Sequence, residues 1–164
     1  MVSPVGINAK SCTGIYIAYS THLNLEEMRY YCPCAQMVAT TEIPGYSLMF
    51  YGEDFMAVPS IEPDGSGRAP GVVWRVPQQG MCALDMAWHC PGLYHRETFE
   101  VKAHCMSISA FSYVINRLPS GKTLPYGRPS LKTYAVIAKG YRCHGFDSRI
   151  LEDAITRSEP KAQG

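Results

Sequence analysis

The segment Tyr19-Ser20-Thr21-His22-Leu23 follows an apolar run and precedes a run with helical spacing. Backbone N–H groups at such a strand-to-helix junction converge, and converging donors seat a carboxylate or a phosphate. A second stretch with chemical content is Trp88-His89. Imidazole has an intrinsic pKa of about 6.5 and exchanges protons near neutrality, so His89 is a weak candidate proton shuttle, provided its ring points inward. Indole only donates a hydrogen bond and does not titrate. Trp88 is therefore either a platform on which a flat ligand such as a nucleobase stacks, or a plug in the core. Cys32-x-Cys34 and the pairs His89-Cys90, His104-Cys105 and Cys143-His144 invite a zinc reading. Structural zinc usually takes two closely spaced ligand pairs. That arrangement is absent, and adjacent residues of a strand point to opposite faces. No metal or cofactor is expected.

These residues need elements to place them. Residues 15–19 mix apolar and aromatic side chains and read as a buried strand. Asn24 reads as an N-cap, with Glu27 completing a capping-box pattern. The helix it starts should span 25–31 and stop before Pro33. Residues 46–51 and 55–61 read as strands, with a turn cluster at 63–67 and a third strand at 72–76. Residues 78–87 form the next helical candidate, and 94–103 and 107–116 two adjacent antiparallel strands. Residues 118–128 are rich in Pro and Gly and read as a loop. Ser130 caps a helix with Leu131, Tyr134, Ile137 and Tyr141 inward, Gly145 stops it, and Asp147 caps a short last helix. Strands outnumber helices. The expected class is α+β, a small mixed, mostly antiparallel β-barrel with flanking helices. The chain divides into a flexible lead (1–13), one domain (14–157) and a polar tail (158–164).

Composition narrows the function classes. A chain of 164 residues is most simply one domain. A net charge of +1 gives no long-range field toward nucleic acid or an anionic membrane. The 11 tyrosines suit a pocket lined by rings with polar tips. Seven cysteines in irregular spacing do not read as a secreted disulfide framework. No secretory signal and no apolar span of about 18 residues is visible. The expectation is a cytoplasmic protein with reduced thiols and a small-molecule partner rather than a nucleic acid polymer or a membrane.

One further pattern stands out: Leu84-Asp85, then Trp88-His89, then Pro91, Tyr94 and Arg96. It resembles the active-site segment of the gamma-glutamylcyclotransferase-like family, roughly Leu-Asp-x-Tyr-Glu-Gly-x-Pro-x-x-Tyr-x-Arg/Lys. Ala87-Trp88-His89 stands where that family has Tyr-Glu-Gly, so Trp88 takes the place of its catalytic Glu. Tyr19-Ser20-Thr21-His22-Leu23-Asn24 is similar to the family's Tyr-Gly-Ser-Asn-Leu loop, with Ser20 for Gly and His22 for Asn. Gly45-Tyr46, Glu62-Pro63-Asp64, Gly71-Val72-Val73, Pro129-Ser130 and Gly145-Phe146-Asp147 extend the likeness over about residues 14–155.

The resemblance implies the same small β-barrel with flanking helices. It also implies acyl-transfer chemistry in which the α-amine of a gamma-glutamyl substrate attacks the γ-carbonyl. That reaction releases 5-oxoproline and a free amine. It needs a carboxylate to move protons, worth about 10²–10⁴ in rate. With Trp88 in the carboxylate's place, no catalytic residue is assigned. The expected ligand-binding set is Tyr19, Ser20, Thr21, His22, Leu23, Trp88, Tyr94, Arg96, Tyr126 and Tyr134. Glu62 is expected to be structural, and Glu97 to face solvent or Arg96. The favoured reading is a non-catalytic binder or sequestering protein for a small polar or anionic, nucleotide-like ligand. Its rival is a working gamma-glutamyl amine or peptide cyclotransferase with relocated acid/base chemistry.

Overall fold

The structure, a computed structural model, describes residues 13–161. The proposed lead lies outside this range except for Thr13, as do the last three residues of the proposed tail. Five strands form one sheet: β1 (Gly14–Ala18), β2 (Gln36–Tyr51), β3 (Val58–Val76), β4 (Tyr94–Ala103) and β5 (Met106–Ile115), in the order β2-β3-β1-β5-β4. All pairings are antiparallel except β1 with β5, which is parallel at Tyr16 and Phe111. Four helices flank the sheet: α1 (Leu25–Tyr31), α2 (Gln78–Ala87), α3 (Leu131–His144) and α4 (Ser148–Arg157). A 3₁₀ turn, Thr21–Leu23, joins β1 to α1.

The α+β class with a mixed, mostly antiparallel sheet is as expected. The barrel is not closed, because β2 and β4 are edge strands that share no ladder. They are joined by side chains instead. The Thr41 hydroxyl donates to the Lys102 carbonyl at 2.7 Å, and Tyr46 meets Phe99 edge to face at 5.0 Å.

The local predictions hold where caps and periodicity are strong. Asn24 accepts from the Glu26 and Glu27 amides at 3.0 and 3.4 Å, and Ser130 accepts from the Thr133 amide at 3.1 Å. Gly145 takes φ +70°, the left-handed stop that a glycine adopts without a Cβ penalty. Three expectations change. The strands foreseen at 46–51 and 55–61 are the end of β2 and the start of β3, both far longer. The turn cluster at 63–67 lies within β3 as a register shift: Pro44 faces Arg68 but Tyr46 faces Pro63, which leaves 64–67 as excess chain. Leu131, expected inward, is 85% exposed because it sits in the first turn of α3; Ile137 and Tyr141 form the buried stripe.

The core lies between the curled sheet and the helices. Its largest sealed side chains include Tyr16, Tyr19, Tyr113 and Tyr141. Among the described residues no helix is long and apolar enough to cross a membrane. Ser158, assigned to the tail, is fully buried: it accepts from the Phe50 amide at 3.0 Å and donates to the Ala154 carbonyl at 2.7 Å.

Candidate functional site

Strand β1 ends in the core and hands the chain to the Thr21–Leu23 turn, so His22 and Leu23 are carried inward. The Leu23 amide bonds to the Ser20 carbonyl and the Asn24 amide to the Thr21 carbonyl, each at 3.1 Å. The second bond uses the donor that a capping-box Glu27 would have accepted. The Glu27 carboxylate therefore has no hydrogen bond or ion pair among the described residues. Ser20 stands at φ −139°, outside the range that calls for glycine, with its hydroxyl sealed and unbonded.

Trp88 is the C-cap of α2, held by its amide on the Leu84 carbonyl at 2.9 Å. Its indole is 6% exposed. Tyr113 stacks on it at 5.5 Å and 14°, Tyr94 meets it edge-on at 4.8 Å, and Tyr19 and His22 approach at 5.9 and 5.7 Å. With Tyr113 on its face and the other rings around it, the indole is placed as a plug rather than as a stacking platform.

A buried chain of hydrogen bonds leaves this ring. The Trp88 Nε1–H donates to the Tyr16 hydroxyl at 3.1 Å, and that hydroxyl lies 3.0 Å from His22 Nδ1. Indole can only donate, so Tyr16 accepts from Trp88 and its own proton has one acceptor in reach, His22 Nδ1. Any other arrangement would leave a sealed hydroxyl proton unsatisfied, which is costly. His22 is thus the neutral tautomer protonated at Nε2. Burial agrees, since it lowers the pKa of His22 from 6.5 to about 4 and raises that of Tyr16.

A hollow of about 610 Å³ opens above this chain, in the size range of small-molecule sites. Thr21, His22, Trp88, His89 and Tyr94 line it, so five of the predicted residues converge there. His89 is exposed at the rim, with its backbone at φ +48°. Tyr94 is tied down by its hydroxyl, which donates to the Pro59 carbonyl at 2.6 Å. Tyr19, Ser20 and Leu23 are buried behind the lining; the Tyr19 hydroxyl donates to the Tyr113 carbonyl at 2.6 Å.

Three others lie elsewhere. Arg96 forms a forked pair with Asp85 at 2.9 and 2.7 Å, and Asp85 also accepts from the Tyr113 hydroxyl at 2.6 Å. Arg96 also covers Phe111. The Leu-Asp and Arg of the motif thus brace the frame behind the hollow. Tyr126 donates to Glu62 at 2.8 Å, beside Tyr51, which donates to the same carboxylate at 2.7 Å. Tyr134 donates to Glu152 at 2.6 Å. Glu97 pairs with His95 at 2.8 Å rather than with Arg96.

Sequence reasoning missed Glu27 and Lys132, which line the hollow and are its carboxylate and its ammonium. Glu27 was read as a cap, although nothing in its spacing distinguishes a cap from a pocket wall. Lys132 follows the Ser130 cap by two positions, and only the packing of α3 near the β1–α1 turn brings it there.

A second hollow, about 750 Å³, lies at the seam between β2 and β4. Of its charged groups, Glu42 pairs with Arg68 at 3.5 Å, Glu100 accepts from Ser107 at 3.3 Å and Asp147 pairs with Arg149 at 2.9 Å. It contains no residue of the motif. Among the described residues no three His, Cys, Asp or Glu side chains group closely enough to hold a metal ion.

Known structures share this architecture. A human protein described as uncharacterized matches with a TM-score of 0.73 and 19% identity over 93% of this chain and 91% of its own. A structure described as gamma-glutamyl cyclotransferase matches with a TM-score of 0.73 and 19% identity, covering 92% of this chain and 90% of its own. YkqA from Bacillus subtilis matches with a TM-score of 0.73 and 14% identity over 94% of this chain and 58% of its own. At these identities the likeness is one of fold. No curated protein matches by sequence. The family profile described as gamma-glutamyl cyclotransferase, AIG2-like, matches residues 16–134, most of the chain including the β1–α1 turn, α2 and the Trp88 segment, and the chain belongs to that family.

Proposed function

We propose that this protein binds a small polar or anionic ligand in the hollow above Trp88 without cyclotransferase turnover. A cytoplasmic sequestering role for a nucleotide-like or similar small molecule suits this reading. The observation that carries it is the indole of Trp88, buried, ringed by aromatic side chains and hydrogen-bonded to Tyr16, at the motif position of the family's acid. A non-titrating ring there cannot take the proton of an attacking ammonium. His22, whose ring lies 5.7 Å from the indole, is held neutral and already accepts from Tyr16, and His89 stands exposed at the rim. Arg96 is committed to Asp85, so an anionic ligand would rely on Lys132 and on neutral donors instead.

The second reading, a working cyclotransferase, is favoured by one observation: the unpaired Glu27 carboxylate lines the same hollow. One assay separates the two. Incubation with gamma-glutamyl amino acids and gamma-glutamyl amines should release no 5-oxoproline above the uncatalysed background. Robust release that falls by about 10²–10⁴ in Glu27→Gln would establish the second reading instead. Trp88→Glu combined with His89→Gly should gain 5-oxoproline release if the frame is intact. That variant should also be less stable by about 3–5 kcal/mol, because it removes a packed indole, so its folding is checked by circular dichroism first.

A further inference from the structure

Trp88 and His22 both depart from the family pattern, and Tyr16 joins them through consecutive hydrogen bonds of 3.1 and 3.0 Å. The Nε2 of His22 has no partner among the described residues. It is also not one of the sealed, unbonded polar atoms, which are Ser20 Oγ, Trp74 Nε1 and the Tyr141 hydroxyl. His22 is 3% exposed and lines the hollow, so the opening its Nε2 reaches is that hollow. Tyr31 lies 5.3 Å from the imidazole, and the hollow is walled by rings and apolar side chains such as Tyr94, Leu93 and Pro59 together with polar groups, Glu27 and Lys132 being the charged residues of the lining.

We infer that Trp88 and Tyr16 lock His22 as a neutral Nε2–H donor at the floor of the hollow, and that this donor selects a flat ligand carrying a carbonyl or carboxylate oxygen at its buried end. The inference deepens the binder reading and rests on it for the existence of a ligand. The physical logic runs along the chain. Indole fixes the direction of the Tyr16 proton, that proton occupies Nδ1, and Nε2 is left with a hydrogen pointing away from the chain. A ligand that fills the hollow shuts water away from Nε2–H, and the donor then needs an acceptor, which a second donor cannot supply. The floor therefore accepts a carboxylate or carboxamide and rejects an amidinium of the same shape.

The test uses histidine labelled with ¹⁵N in the full-length chain, with the His22 signals assigned by their loss in His22→Phe. Between about pH 5.5 and 8.5, where a free imidazole would titrate, His22 should remain neutral with Nε2 protonated and Nδ1 bare. Benzoate and benzamide, added as probes at millimolar excess, should shift the Nε2–H resonance saturably; benzamidine should not. Trp88→Phe, which keeps a ring but removes the N–H, should mix the two tautomers and weaken benzoate about tenfold, equivalent to roughly 1.4 kcal/mol. Tyr16→Phe should do the same by removing the bridging hydroxyl, which covers the case in which Trp88→Phe does not fold.

An Nδ1–H tautomer in the parent protein overturns the inference. So does an equal response to benzamidine, or no saturable response to benzoate. Release of 5-oxoproline by the parent protein would instead remove the binder reading, while a locked tautomer with acceptor preference would survive it.

Discussion

His22 ties the chemistry of the hollow to the stability of the fold. Burial lowers its pKa from 6.5 to about 4. Above pH 6.5 the ring is neutral in both the folded and the unfolded chain and contributes no pH dependence. Between 6.5 and about 4 the unfolded chain binds a proton that the folded one does not, so stability falls as pH falls through that window. The full loss is roughly 3 kcal/mol. Urea unfolding across this range should show that slope, and His22→Phe should flatten it. Asp54, whose pKa the Arg128 guanidinium lowers to about 2, loses its contribution further down, from 3.8 toward that value, so the two limbs separate. At this scale the sequence set His22 in the β1–α1 turn, where the resemblance expects Asn. It could not show what His22 would do, because the tautomer depends on Tyr16 and Trp88, which lie on different elements.

At the scale of elements, one close contact sets the height of the β1–α1 turn. Gly140 of α3 packs directly on that turn. A Cβ at this position would lie 2.6 Å from Leu23 Cβ and 2.9 Å from the Asn24 nitrogen. Backbone cannot give way as a flexible side chain can. Gly140→Ala should therefore destabilise the protein by about 1–3 kcal/mol as an overpacking change, despite alanine's better helix propensity. It should also shift the backbone amide resonances of 21–24 more than those of β4, which an ¹⁵N correlation spectrum can compare.

The capped helices were legible because each cap is a local bond between near neighbours, as at Asn24, Ser130 and Asp147. The long hairpin of β2 and β3 was not. Residues 36–43 were left without an element, although Val38, Thr40, Thr41 and Ile43 are β-branched and Thr41 and Ile43 alternate inward. Within β3, Pro63, Gly65 and Gly67 have the composition of a turn, yet the strand absorbs them as a bulge, with Ser47 donating to Asp64 at 2.7 Å. Pairing with a distant partner overrides local composition, and no single segment records that partner. The frame of the candidate site was legible through the motif, which also carried Arg96 into the expected binding set, whereas its fork onto Asp85, and the ties of Tyr126 to Glu62 and of Tyr134 to Glu152, depend on partners that the motif does not record.

At the scale of the whole molecule, a sheet with two free edges needs other ties. Thr41 spans the seam, and Ser158 joins the end of α4 to the end of β2 through the Phe50 amide. Phe50 is sealed, so Ser158→Ala would leave its N–H without an acceptor. The expected cost is about 1–3 kcal/mol, seen as a lower midpoint in thermal unfolding with the sheet signature in circular dichroism unchanged.

The aromatic cage has an optical side. The chain has two tryptophans, and both indoles are buried, at 5% and 6% exposure. Trp88 sits 5.7 Å from His22 and forms part of the hollow's wall, whereas Trp74 is not among the residues that line it. Emission from Trp88 should therefore respond both to a molecule placed in the hollow and to protonation of His22. If the proposed ligand enters the hollow, the emission of the parent protein should change while that of Trp88→Phe, which keeps only Trp74, should not, and no dye has to be attached for the comparison.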